Sequence, residues 1–176
     1  MASAFGHAAA ALAIGTAYSK KIISRKFWIL GAVCSILPDA DVLSFRFGIP
    51  YESFWGHRGF THSLLFAVVL GVTVTVLFYR HDFLSRKGLG YISFFSLSTA
   101  SHAVLDAMTT GGLGVAFFSP WNNRRYFFPW RPIQVSPIGV QHFFGEAGWR
   151  VIQSELVWIG VPCLLFVVVM WLLKRR

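Results

Sequence analysis

Acidic residues are scarce in this chain. Asp and Glu number seven among 176 residues, against sixteen Lys and Arg, and charged residues together make 13%. A soluble domain carries about 25%. With 55% hydrophobic residues and a mean hydropathy of +0.58, the chain lacks the polar groups to cover a water-facing surface. Cysteine is nearly absent. Cys34 and Cys163 lie inside apolar runs without a neighbouring ligand, which excludes a disulfide scaffold and marks both as small core hydrophobes. No series of alternating apolar and polar segments occurs, which excludes a membrane barrel. No basic region precedes the first apolar run, so a cleavable signal peptide of the usual kind is not expected. There is no internal repeat or low-complexity linker, and the length suits one domain over residues 1–176.

What the chain does have is apolar runs. Phe5–Tyr18 is rich in alanine and ends at Lys20 and Lys21. Phe27–Leu37 is a second run, stopped by Pro38. Both are short against the roughly 20 residues that a full span needs. Asp39–Phe60 reads as a polar and aromatic loop, with Val42–Phe47 at the membrane interface. His62–Tyr79, Leu89–Ala107 and Leu156–Leu173 are the remaining runs. Met108–Arg150 is a long segment broken by Pro120, Pro129, Pro132 and Pro137, and its aromatics beside Arg124, Arg125 and Arg131 suit the headgroup zone. The fold class is therefore all-α: a polytopic helical membrane protein with about five membrane segments, the first two short.

The net charge of +9 does not point to nucleic acid, because the basic residues cluster at the ends of apolar runs, as topology signals do. With Lys20–Lys26 in the cytoplasm and the segments alternating, ten of the sixteen basic residues and one acid, Asp82, fall inside. Six basic and six acidic residues fall outside. The expected arrangement is N-out and C-in. Five of the six histidines then lie at the outer ends of segments, the exception being His81. Scattered core histidines would not segregate in this way, whereas one polar site at the outer membrane face would produce it.

The pairs with metal-ligand spacing support such a site. His102 and Asp106 stand at i and i+4, on one face of a helix. Placing ionisable groups at membrane depth costs roughly 2.5–3.5 kcal/mol each even on lenient scales, and such groups usually mark function. His142 and Glu146 repeat the spacing. Asp39 and Asp41 follow Pro38, and His57, Arg58 and His62 sit in the segment His57-Arg58-Gly59-Phe60-Thr61-His62-Ser63. Imidazole with carboxylate suits zinc, manganese or iron, and nine potential ligands exceed one tetrahedral site, which leads to an expectation of two or three ions. Thr61 or Ser63 caps the third helix. Each residue also has a bland reading. His7 reads alone as an interfacial histidine, Asp39 and Asp41 as a turn or cap, His142 as a packed side chain, and Arg58 as the partner of an acid. The joint arrangement favours the ligand reading.

Pro38-Asp39-x-Asp41, His57-Arg58-Gly59-x-Thr61-His62-Ser63, Ser101-His102-x-x-x-Asp106 and the early His7 together resemble the LexA-regulated, YdjM-like bacterial inner-membrane proteins, classed as predicted membrane-bound metal-dependent hydrolases. The likeness covers about residues 1–110. More distantly, the order of His, Asp, His, His-x-x-x-Asp and His-x-x-x-Glu is similar to the zinc-dependent phospholipase C and P1 nuclease superfamily, helical enzymes that cleave phosphodiesters at a trinuclear zinc site. The resemblance implies metal ligands at His7, at Asp39 or Asp41, at His57 or His62, at His102 and Asp106, and further along at His142 and Glu146.

The expected function is a metal-dependent hydrolase at the outer face of the bacterial inner membrane. It would cleave a phosphoester of a lipid or lipid-linked substrate by metal-activated water. Asp39 or Asp41 would bridge ions or act as base, Arg58 with Arg124 or Arg125 would hold the phosphate, and the segment around Trp121–Trp130 would receive the lipid. Two alternatives are a metal or proton-coupled transporter, disfavoured by the lack of charge along segments three to five before His102, and a stress-response interaction protein whose histidines bind nothing.

Overall fold

The computed structural model describes residues 1–138 and 140–175. Among them there is no β-strand, only two isolated bridges, Thr109 with Ile133 and Val115 with Tyr126. The helices are α1 (Ala4–Gly15), α2 (Arg25–Ile36), α3 (Leu64–Tyr79), α4 (Arg86–Ala107), the single turn α5 (Val140–Phe143), α6 (Glu146–Glu155) and α7 (Val161–Lys174). Three continuous helical stretches are long and apolar enough to cross a membrane: Arg25–Phe47, Leu64–Asp82 and Glu146–Lys174, of 23, 19 and 29 residues. Ala4–Gly15 is apolar but shorter.

Serine side chains start the helices. Ser3, Ser24, Ser63 and Ser85 each accept a backbone N–H from the first turn of α1, α2, α3 and α4, satisfying donors that have no partner inside the helix. Of the two expected caps for α3, Ser63 fills the role, accepting from Phe66 N at 3.0 Å.

Pro38 does not stop the second run. The chain continues past α2 as a tighter 3₁₀ helix over Leu37–Phe47, with Pro38 in its first turn. Proline is tolerated there because its missing N–H has no obligatory partner. The expected polar loop therefore begins only after Phe47, and Asp39 and Asp41 stand on a helix. The run ends at Gly48, which has φ of 70°, a left-handed conformation that glycine adopts without strain.

α4 is the central helix and packs against α1, α2 and α3. Phe94 reaches between α1 and α2 because Gly15 and Gly31 leave no Cβ in its way. It stacks on Phe27 at 3.8 Å between ring centroids, and Phe95, Tyr91 and Cys34 complete this core. On the other side, Gly71 lets α3 approach the backbone of α4 at Ser96. Small residues at such contacts allow close helix approach, which matters most where lipid removes the hydrophobic drive between helices. The last helical stretch is different. Only 6% of its most apolar window is buried, and it touches the rest of the bundle mainly through α1.

Beyond α4 the chain folds back over one end of the bundle. Thr110 N donates to Ile133 O at 2.9 Å and Ile133 N to Met108 O at 3.2 Å. Val115 and Tyr126 exchange two bonds of 2.9 Å, and Ala116 N donates to Arg58 O. This fold-back roofs the end of the bundle where the polar residues collect.

Candidate metal centre

Five segments deliver side chains to one buried cluster. His7 comes from α1, Asp39 from the 3₁₀ extension of α2, His62 from the 3₁₀ turn Phe60–His62 before α3, and His102 and Asp106 from the last turns of α4. His7, His102 and Asp106 are wholly buried, and His62 is 1% exposed. The fifth segment, the loop at His57 and Arg58, lines the cluster from behind.

The hydrogen bonds fix the histidine tautomers. His102 Nδ1 lies 2.7 Å from the carbonyl of Ser35. A carbonyl only accepts, so His102 carries a proton on Nδ1 and, as a neutral ring, presents a lone pair at Nε2. His62 Nδ1 lies 3.1 Å from Asp41 Oδ2, another acceptor, so a neutral His62 would likewise offer its Nε2 as a lone pair. The two Nε2 atoms face each other at 2.9 Å. Asp39 Oδ1 stands 3.3 Å from His102 Nε2 and 3.7 Å from His62 Nε2. Asp106 Oδ2 is 3.6 Å from His62 Nε2. Four electron-pair donors thus converge, all within 4.8 Å of one another.

Donors in this arrangement could hold a cation. Zinc–nitrogen and zinc–oxygen bonds of about 2.0–2.2 Å place tetrahedral ligands about 3.3–3.6 Å apart, close to the 2.9–3.7 Å separations given above. Asp39 Oδ1 is buried with no hydrogen-bond partner, and an unsatisfied buried charge is costly. The second nitrogens of both histidines are held by a carbonyl and a carboxylate, the usual support for metal-bound imidazole. The residues present therefore fit a divalent ion held by Asp39, His62, His102 and Asp106.

His7 lies on the far side of the same carboxylates. Its ring stacks on His102 at 3.7 Å, and its Nε2 is 3.5 Å from Asp106 Oδ1 and 3.9 Å from Asp39 Oδ2. Both of its nitrogens lack partners. Each carboxylate thus turns one oxygen to the His62–His102 pair and the other to His7, an arrangement able to bridge two cations. Ala2 N donates to Asp106 Oδ1 at 2.7 Å. The Met1 amino group is enclosed beside Asp106 and Arg58, and burial pushes its pKa down.

Asp41 has another task. Its Oδ1 meets His57 Nδ1 at 2.6 Å, and its Oδ2 accepts from Arg58 N at 3.1 Å and Thr61 Oγ1 at 2.6 Å, with His62 Nδ1 beside them. Asp41, His57 and His62 also lie close enough to hold an ion. The acceptors of Asp41 are already taken by these donors, however, so the group reads as the support of His62. Burial lowers the His57 pKa against the pull of Asp41, keeping the ring neutral.

Residues 1–176 match the YdjM inner membrane protein family. The chain belongs to that family. It is 41% identical over 176 residues to the inner membrane protein YbcI of Escherichia coli strain K12, covering 99% of this chain and 100% of that protein. It is also 30% identical over 94 residues to the uncharacterized protein YvsG of Bacillus subtilis strain 168, covering 49% of this chain and 54% of the other. No solved structure matches. Family membership and three bilayer-length apolar helices support an inner-membrane location.

Several residues expected at the site lie elsewhere or act differently in this member of the family. His142 is exposed and Glu146 pairs with Arg150 at 3.6 Å, with 95% of its side chain accessible. Their shared helical face does not form, because α5 ends at Phe143 and a new helix begins at Glu146 after Gly145. Arg58 is fully buried with φ of 62°, a strained position for a non-glycine residue. Its Nε is 2.8 Å from Asp106 Oδ2, and its terminal nitrogens donate to Gly111 O at 2.9 Å and Thr109 Oγ1 at 3.0 Å. It orients Asp106, with no donor turned outward for a phosphate. Arg125 likewise donates to the carbonyls of His57, Tyr51 and Ser53, pinning the loop. Arg124 is exposed.

Glu155 belongs to none of the sequence motifs with metal-ligand spacing. This buried carboxylate of α6 accepts from Ser3 N and, at 2.5 Å, from Ser3 Oγ, tying the last helix to the first turn of α1. Gly6 permits the approach, since a Cβ there would meet Glu155 and Ile159. A lone acid at the head of an apolar run was the available signal.

Proposed function

We propose that this protein is a metal-dependent hydrolase at the outer face of the inner membrane, acting on a phosphoester of a lipid or lipid-linked molecule. The observation that carries the proposal is the convergence of His62 Nε2, His102 Nε2, Asp39 Oδ1 and Asp106 Oδ2, their tautomers set by Ser35 O and Asp41. The bound ion, of which zinc is the best match, would supply Lewis acidity and an activated water. In this reading the bundle has five membrane segments, with α1 and α4 added to the three long stretches, and runs N-out and C-in.

The protein's own residues divide the remaining work. His102 and His62 would turn their Nε2 lone pairs to the ion, each held at Nδ1 by Ser35 O or Asp41. Asp39 is the cluster member that keeps contact with the surface, at 7% exposure against none for His7, His102 and Asp106. A reactant arriving from outside passes Asp39, which is placed to take its proton. Beside the site, Leu64, Val104, Phe117, Phe118 and Phe128 line an apolar cleft of about 370 Å³. Leu64 and Val104 lie two residues beyond His62 and His102, so an acyl chain in this cleft would hold its headgroup at about the level of the cluster. Tyr126, Phe127 and Phe128, from the Trp121–Trp130 segment expected to receive the lipid, form part of its wall.

The test uses protein purified without a histidine tag. Elemental analysis is expected to find zinc, manganese or iron, and His102→Ala is expected to remove both the ion and the release of phosphorylated headgroup from lipid in mixed micelles. Turnover retained without metal loss would overturn the assignment. The near-complete enclosure of the nitrogens favours one second reading, a purely structural ion. Bound metal with no turnover on any lipid phosphoester would select it.

A further inference from the structure

At the opposite end of the bundle from the metal centre, the last helix and the α1–α2 turn enclose a cleft of about 480 Å³. Its rim carries three cations, Lys20, Lys174 and Arg175, and its walls include Trp28, Trp171, Ile23 and Met170. We propose that this cleft binds the headgroup of an anionic glycerophospholipid, with the apolar wall taking the first part of an acyl chain.

No acidic side chain offsets this charge among the described residues. The sequence has no Asp or Glu before Asp39 and none after Glu155, so neither element forming the cleft contains an acid near it. Among the described residues, the ion pairs of Arg and Lys with carboxylates are those of Arg58 and Arg150. Lys174 Nζ donates to Thr16 O at 2.6 Å and to Tyr18 O. These bonds fasten the end of the last helix to the end of α1, so the cleft is built by the fold. They also place a cation against carbonyl dipoles that do not neutralise it. The Arg175 guanidinium lies 3.7 Å over the Trp171 ring. Stacking fixes its plane and leaves its edge N–H groups available to a phosphate. Lys20 is exposed and points no donor at any partner among the described residues.

The position suits a lipid and not a free anion. The cations sit at the ends of apolar helices, where a headgroup layer begins, and Trp28 and Trp171 are the ring type that favours that layer. Basic pockets between membrane helices recognise anionic headgroups in this way. Val167 and Met170 continue the wall along the apolar part of the last helix, where a bare phosphate would gain nothing.

The experiment is native mass spectrometry of the full chain in detergent, titrated with phosphatidylglycerol or phosphatidylcholine bearing identical dioleoyl chains. Phosphatidylglycerol is expected to bind selectively. Lys20→Gln with Arg175→Gln is expected to weaken it about thirtyfold, each cation near a surface contributing about fivefold, while phosphatidylcholine binding and metal content stay unchanged. If the double variant does not purify, Lys20→Gln alone is read, with about a fivefold loss expected. Arg80→Gln with Arg86→Gln removes two charges from the same end but outside the cleft, and is expected to leave binding unchanged. Equal binding of the two lipids, an unaltered cleft variant, an equal loss in the Arg80 and Arg86 variant, or displacement of the lipid by inorganic phosphate would each overturn the proposal.

Discussion

Asp39 and Asp41 are two residues apart, yet the geometry assigns them different work, and one substitution separates the roles. Asp41→Asn removes a charge and converts one acceptor into a donor. The asparagine nitrogen cannot occupy the Oδ2 position, where it would face three donors, Arg58 N, Thr61 Oγ1 and His62 Nδ1. It must take the Oδ1 position against His57. His57 then loses its carboxylate acceptor and has to reverse its tautomer, and the His62 Nδ1–H points to a neutral group. Loss of a charge-assisted bond costs about 1.5–3 kcal/mol of stability. Loss of a carboxylate supporting a metal-bound histidine typically weakens metal affinity about 10–100-fold, or roughly 1.4–2.8 kcal/mol. Asp39→Asn removes a ligand itself and is expected to abolish binding. The assay is a chelator competition titration of the two purified variants against the unaltered protein. If Asp41→Asn abolishes binding as completely as Asp39→Asn, Asp41 is a ligand. If its affinity stays within twofold of the parent, Asp41 does not support the site at all. Either result refutes the division of labour.

Three further predictions follow from the same geometry. Stripping the ion with a chelator is expected to lower the unfolding temperature in detergent, since a ligand present at a hundred times its Kd stabilises by about 2.7 kcal/mol; an unchanged melting curve after zinc re-addition would count against a bound ion. His142→Ala combined with Glu146→Ala is expected to leave metal content unchanged, because both residues are exposed and apart from the cluster; metal loss measured by elemental analysis would return them to the ligand set. Glu155→Ala is expected to loosen the first turn of α1 and disturb His7 and Asp106, with Glu155→Gln milder because it can still accept from Ser3 N and donate to Ser3 Oγ; the visible spectrum of the cobalt-substituted protein reports the change, and identical spectra for all three proteins would exclude the coupling.

The convergence of His7, Asp39, His62, His102 and Asp106 was legible because each closes or opens an apolar run at the same end of the bundle. Run length and charge placement carry that information without coordinates. The division between Asp41 and Asp39 was not legible, because it depends on which donors stand opposite, and those come from a loop 16 to 21 residues away. The sequence points Arg58 to a phosphate because an arginine beside two histidines shows its charge but not its partners. Its commitment to Asp106 depends on a positive φ and on the fold-back at Thr109 and Gly111. His142 and Glu146 had the right spacing but no helix to hold it, and Gly145 was the local sign of the break. Pro38 suggests a terminator by its residue type alone, though proline in the first turn of a new helical stretch is compatible with continuation.

That continuation explains why the Asp-x-Asp pair serves two directions. A 3₁₀ helix has three residues per turn, so residues two apart differ by about 240° around its axis and residues three apart eclipse. Asp39 and Asp41 on Leu37–Phe47 therefore project about 120° from one another, the first toward His62 and His102 and the second toward the loop at His57–Thr61. A simple turn after α2 would not impose this divergence. The tight helix lets one short segment supply a ligand and, from the adjacent face, the acceptor that fixes the tautomer of another ligand. It also couples the two, because a rotation of the segment that withdrew Asp39 from the cluster would withdraw Asp41 from His62. The peptide at Ser35, just before this segment, orients His102, so the end of α2 and its extension govern three of the four donors at once.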